Sequence, residues 1–152
     1  MVAAEVAAGP GIVQVPTGVD DEETRWYAFS ERFVRYLTGT ATPEPGRLIV
    51  VRVRKDHLGE SMVGTIAPGS LCLVDRGPGA RGPTQIEDGK VYLLRDLDDD
   101  GGAFVKRVYQ RGAHLVLASD NEDAGPRLVN LRGRRIQDVV VGRVRWVGTT
   151  LE

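Results

Sequence analysis

From Leu48 onward the chain is a succession of short apolar runs broken by turn-forming residues. Ile49-Val50-Val51-Arg52-Val53-Arg54, Leu71 to Val74, Val91 to Leu94, Phe104 to Val108, His114 to Ala118 and Val139 to Trp146 are rich in aliphatic and β-branched side chains. Gly, Pro, Asp and Asn cluster between them. Segments of this length and composition predict strands, and their close spacing predicts a mainly β fold built on a partly closed antiparallel sheet. Gly77 to Pro83 is too rich in Gly and Pro to be an element and lengthens the connection before Val91.

The pattern ahead of Leu48 differs. Trp26, Phe29, Phe33 and Leu37 recur near a three-to-four spacing while Glu31, Arg32 and Arg35 fall between them, which predicts one short amphipathic helix over Thr24 to Thr38, ended by Gly39. Pro43 to Gly46 reads as a turn. Met1 to Val19 has small residues with Gly and Pro and no helical period, so it is expected to be mobile unless docked. The expected organisation is a mobile segment over residues 1–23 and a single domain over residues 24–152. With 152 residues and 41% hydrophobic content, the chain supports one well-formed core.

Composition also narrows the function. A formal net charge of −1 supplies no field to hold nucleic acid or an anionic membrane, so DNA contact would need a separate module. Cys72, the one cysteine, lies within an apolar run and is expected to be a buried thiol in a reducing compartment. No apolar run reaches the length of a membrane span, and the first ten residues lack a basic start followed by a hydrophobic stretch. A soluble, cytoplasmic protein with no membrane partner is expected.

Two residues invite a chemical reading. Ser61 is flanked by Gly59 and Gly64, permissive backbone suited to a turn that presents a hydroxyl and a free N–H. Lys106 stands between Val105 and Val108 in a strand-like run, where its stem must cross apolar surface. A serine hydroxyl is a poor nucleophile unless a base takes its proton, and lysine can be that base when burial or neighbours hold it neutral. The pair predicts a Ser-Lys peptidase site, with the backbone N–H groups of Ser61 and Met62 as oxyanion donors. Taken singly, a surface serine and a surface lysine are plainer explanations.

Other constellations are weaker. Asp96-Leu97-Asp98-Asp99-Asp100-Gly101 opens with the spacing of a calcium loop, but Arg107 stands where that loop needs a bidentate glutamate, so a solvated hairpin turn is expected. His57 lies close to Ser61 but lacks the strand-turn-helix setting of a serine hydrolase. Arg132, Arg134 and Arg135 read as a solvated face offset by Glu122, Asp123 and Asp138. No metal site and no cofactor are expected.

Gly59-Glu60-Ser61-Met62, then Gly69 to Asp75, Asp88-Gly89, Val105-Lys106-Arg107, Asn121 and Val141-Gly142-Arg143-Val144 form an ordered series. The series resembles the C-terminal domain of LexA and phage repressors, a domain shared with UmuD-like proteins. It departs from that pattern at Glu60, where aspartate is more usual, at Gly64, where proline is usual, and at the apparent insertion Lys55-Asp56-His57. The resemblance implies a curled β fold and self-cleavage, with Ser61 as nucleophile and Lys106 as general base. It points to Ala8-Gly9 as the bond cut, since such proteins are cut at an Ala-Gly bond.

It further implies a homodimer formed through the C-terminal strand Val139 to Trp146, and a RecA-type filament as co-protease in a DNA-damage or phage-induction response. DNA would be bound only through a separate N-terminal domain. Nothing resembling a helix-turn-helix precedes Ala8, which leaves an excised domain or a stand-alone protein, and the Phe29-containing helix, similar to that of certain phage-type repressors, makes an excised repressor C-terminal domain the expectation. The alternatives are a stand-alone UmuD-like polymerase accessory protein, or a dimerisation module whose dyad is idle.

Overall fold

A computed structural model of the protein describes residues 11–18, 23–53, 66–97, 102–121 and 125–148. The elements in chain order are β1 (Ile12–Pro16), β2 (Trp26–Ser30), α1 (Glu31–Thr38), β3 (Leu48–Arg52), β4 (Leu71–Asp75) and β5 (Lys90–Arg95). They continue with β6 (Ala103–Arg111), β7 (His114–Ala118), β8 (Arg127–Asn130), α2 (Ile136–Val139) and β9 (Val140–Gly148). The protein is mainly β, as expected. All strand pairs are antiparallel, in a two-stranded sheet β1-β2 and a seven-stranded sheet ordered β3-β4-β9-β5-β6-β7-β8.

The runs Leu48 to Val51 and Leu71 to Asp75 are buried throughout because they are covered on both faces. One face, with Leu48, Val50, Leu71 and Leu73, packs under Val15 of β1 and Val34 and Leu37 of α1. The opposite face, with Ile49, Val51, Cys72 and Val74, packs on Leu93, Val105 and Val141. Cys72 is fully buried, and burial pushes its thiol up to about 12. A third cluster, with Tyr92, Leu94, Val108, Leu115 and Leu117, fills the far half of the sheet.

The predicted helix over Thr24 to Thr38 is corrected: Trp26–Ser30 is a strand, and the helix begins at Glu31. β1 supplies five paired residues along this aromatic run, and Tyr27 and Phe29, two apart, turn towards the core. Ser30 then starts the helix, its hydroxyl accepting from the Phe33 amide at 3.1 Å, and Gly39 closes it at φ 81° with its amide donating to the Arg35 carbonyl. The N-terminal stretch expected to be mobile is docked over Ile12–Pro16, and Thr17 bridges to Val50 of the large sheet.

Two further differences concern the C-terminal half. β8, which the sequence pattern does not predict, pairs with β7 over four residues, only one of them buried. Val139 belongs to the short helix α2, and the following strand is not an edge. β9 is inserted between β4 and β5. β5 pairs with it only over Val140 to Arg143, however, so the flank of residues 144–148 turned away from β4 has no strand partner among the described residues.

Candidate active site

Lys106 is placed by the register of β6. It lies opposite the buried Tyr92 of β5, and strand alternation puts it on the same face as Phe104 and Val108, both part of the far cluster. Its stem therefore crosses apolar surface as expected, and the residue is half-buried. Desolvation lowers the pKa of its ammonium, and the positive charge of Arg127 lowers it further. Arg127 reaches this face from β8, where it stands opposite Leu117, and its guanidinium lies 5.8 Å from the centre of the Phe104 ring.

Across β6, Arg107 pairs with Ala118 and Val108 with Leu117, so one further step of the same register sets Ser119 opposite Lys106. The Lys106 Nζ donates to Ser119 Oγ at 2.5 Å. The neighbouring pair reinforces this contact. Arg107 Nε and Nη2 donate to the two carboxylate oxygens of Asp120 at 3.0 and 2.7 Å, and Nη1 donates to the Gly89 carbonyl at 2.7 Å. That bidentate hydrogen bond raises the pKa of Arg107 and ties the end of β7 to β6. At the other end of β6, Asp88 accepts from the Gln110 amide and from Arg111, and Gly89, at φ 83°, turns the chain into β5.

Ser61, Met62, Ala8, Gly9 and His57 lie outside the described residues. The described ends of the segment that carries Ser61 are Val53 and Ile66, both buried in the cluster that includes Val105, the neighbour of Lys106. Val53 is tied to the start of β4, its amide donating to the Ser70 carbonyl and its carbonyl accepting from Gly69, each at 2.9 Å. Val105 and Lys106 are on opposite faces of β6.

No group of three metal-ligating side chains occurs among the described residues. Arg107, at the last position of the calcium-loop pattern, is committed to Asp120 and Gly89. No described helix is long and apolar enough to cross a membrane. A groove of about 340 Å³ between β2, Phe33, Val50 and Trp146 is lined mainly by apolar side chains and does not include Lys106.

The residues that sequence reasoning missed are Ser119 and Arg127. Alternation of Leu115, Leu117 and Ser119 was the available signal for Ser119, but it names a face and not a partner. Arg127 reaches Lys106 only because β8 exists.

A family model described as peptidase S24-like matches residues 1–145, a span that takes in Ala8-Gly9, Ser61 and Lys106. A search of curated proteins found no match.

Proposed function

Since the chain belongs to the peptidase S24-like family and so carries a self-cleaving peptidase-type domain, we propose that Ser61 and Lys106 act as a Ser-Lys dyad on the Ala8-Gly9 bond of the same chain. The observation that carries this reading is the state of Lys106: half-buried among apolar side chains, with a depressed pKa. Partial desolvation of this kind favours the neutral amine that a general base needs.

In the first step neutral Lys106 takes the proton of Ser61 Oγ as that oxygen bonds to the Ala8 carbonyl carbon. The carbonyl electrons move to oxygen, where the N–H groups of Ser61 and Met62 are the proposed donors. Collapse breaks the bond to the Gly9 nitrogen, which leaves as an amine with the proton from Lys106. Water, losing a proton to Lys106, then attacks the Ala8 ester carbonyl, and Lys106 returns that proton to Ser61 Oγ as the ester C–O bond breaks, releasing the Ala8 carboxyl group and the free serine. Because bond and nucleophile share one chain, orientation alone can be worth about 7–11 kcal/mol, so the site need not bind free peptides. Docking of the cleavage segment would desolvate Lys106 further and couple substrate capture to base activation.

The wider role proposed is that of a cytoplasmic repressor C-terminal domain that dimerises and is cleaved in response to DNA damage or phage induction, with a RecA-type filament favouring the docked state. Dimerisation is supported by the unpaired flank of residues 144–148, which carries the exposed Trp146 and Val147. Mass spectrometry of the pure protein after alkaline incubation tests the chemistry. A new chain beginning at Gly9 is expected, absent in Ser61→Ala and in a variant with a bulky residue at Gly9. A different cut overturns the assigned bond; a Ser61→Ala protein that still yields the Gly9 terminus overturns the nucleophile; an intact wild-type chain leaves a dimerisation module with an idle dyad.

A further inference from the structure

We propose that Ser119 is a positioning residue for Lys106, its hydroxyl holding the amine in the orientation from which it takes a proton. The proposal rests on Lys106 being the general base of the reading above. A lysine side chain has four rotatable bonds and gives up rotamer freedom when held in one place. Something at the site must therefore hold it. Lys106 Nζ donates to Ser119 Oγ at 2.5 Å.

The acceptor is itself fixed. Leu117, two residues earlier on the same face, is fully buried, and Asp120, the next residue, is gripped by both donors of the Arg107 fork. Ser119 is thus held between a core leucine and a bidentate ion pair, opposite the lysine it contacts. Using one tetrahedral position of Nζ for Ser119 leaves the lone pair of the neutral amine directed elsewhere, towards whatever nucleophile approaches.

The same contact has an electrostatic consequence of definite sign. A hydroxyl oxygen that accepts from an ammonium favours the charged form, so it opposes the desolvation and the Arg127 repulsion that favour the neutral amine. The ionisable groups that the strand register places on this face are Lys90 and Tyr92 of β5, Arg127 of β8 and Arg143 of β9, which stands opposite Tyr92 and is paired with Glu87 at 2.9 Å, while Asp120, beside Ser119, is held by Arg107. Removing the Ser119 oxygen leaves those groups in place. Lys106 should then lose its proton at lower pH while being less well aimed.

The experiment compares Ser119→Ala and Ser119→Thr with the unaltered protein by two readouts. One is the pH dependence of self-cleavage. The other is a titration of 13Cε-labelled lysine by NMR in a Ser61→Ala background, where Lys55, Lys90 and Lys106 are the three lysines to resolve. In Ser119→Ala the high-pH plateau of the cleavage rate should fall about ten- to a hundred-fold. The midpoint and the Lys106 resonance should both shift to lower pH, and Ser119→Thr should restore both.

A plateau and midpoint equal to those of the unaltered protein overturn the proposal, as does a lower plateau with unmoved midpoint and resonance, which is the mark of a merely structural serine. Cleavage that survives Ser61→Ala but not Ser119→Ala would make Ser119 the nucleophile and overturn both readings. If the unaltered protein does not cleave, the proposed function fails, and an unmoved Lys106 resonance would then overturn this inference separately.

Discussion

Replacing Gly142 by alanine should destabilise the domain by about 1–3 kcal/mol, the usual cost of forcing a methyl group into a well-packed core. A Cβ at this position would lie 2.6 Å from Val74 Cγ1 and 2.7 Å from the Asp75 carbonyl oxygen, closer than carbon atoms approach either group. Neither neighbour can yield easily. Val74 is fully buried, and Asp75 is anchored by Arg47 Nε at 2.9 Å, Arg47 Nη2 at 3.3 Å and the Gly77 amide at 2.8 Å. Relief therefore requires β9 to move away from β4, although β9 is also bound to β5, where Gly142 faces Leu93.

The loss of backbone freedom in the unfolded chain would by itself favour alanine by about 0.4–1 kcal/mol, so the clash must exceed that to be seen. For a domain of this size each kcal/mol moves the melting temperature by about 2–4 °C, which sets the expected fall at roughly 2–12 °C. Circular dichroism melts and urea titrations measure it, with the urea midpoint moving at unchanged slope. Gly125→Ala is the control, since a Cβ there meets nothing within 4 Å. A Gly142→Ala protein as stable as that control would refute the reasoning.

Lys106→Arg should fold and not cleave, because a guanidinium stays protonated at usable pH; cleavage by that variant refutes the base assignment. In the unaltered protein the neutral amine is the active form and burial and Arg127 lower its pKa, so the rate should rise with pH, reach half its plateau below 10.5 and level off. Cys72, buried and with its thiol pushed up to about 12, should react with an aromatic disulfide reagent only as fast as the domain unfolds; rapid labelling of the folded protein would contradict its placement. Sedimentation should show a homodimer that Val147→Asp converts to monomer, whereas a monomeric unaltered protein at its highest soluble concentration counts against the open flank of β9 as an interface.

The sequence by itself determined the features that depend on local composition. The aliphatic runs of β3 to β7 and β9 declare strands because no other element buries such short segments, and Cys72 within Leu71 to Val74 declares its own burial. The apolar setting of Lys106 between Val105 and Val108 was equally legible. Tertiary structure decided what depends on a partner distant in sequence. Trp26–Ser30 satisfies a helical spacing and a strand alternation equally well, and only pairing with β1 makes it a strand. Arg127–Asn130, with one buried residue in four, has no hydrophobic signature and exists as β8 because β7 offers it an edge. The C-terminal run reads as a strand, but its interior place between β4 and β5 follows from a register that no local pattern contains. Ser119 meets Lys106 for the same reason: the contact crosses two strands, and hydrogen-bond register, not proximity along the chain, brings hydroxyl and amine together.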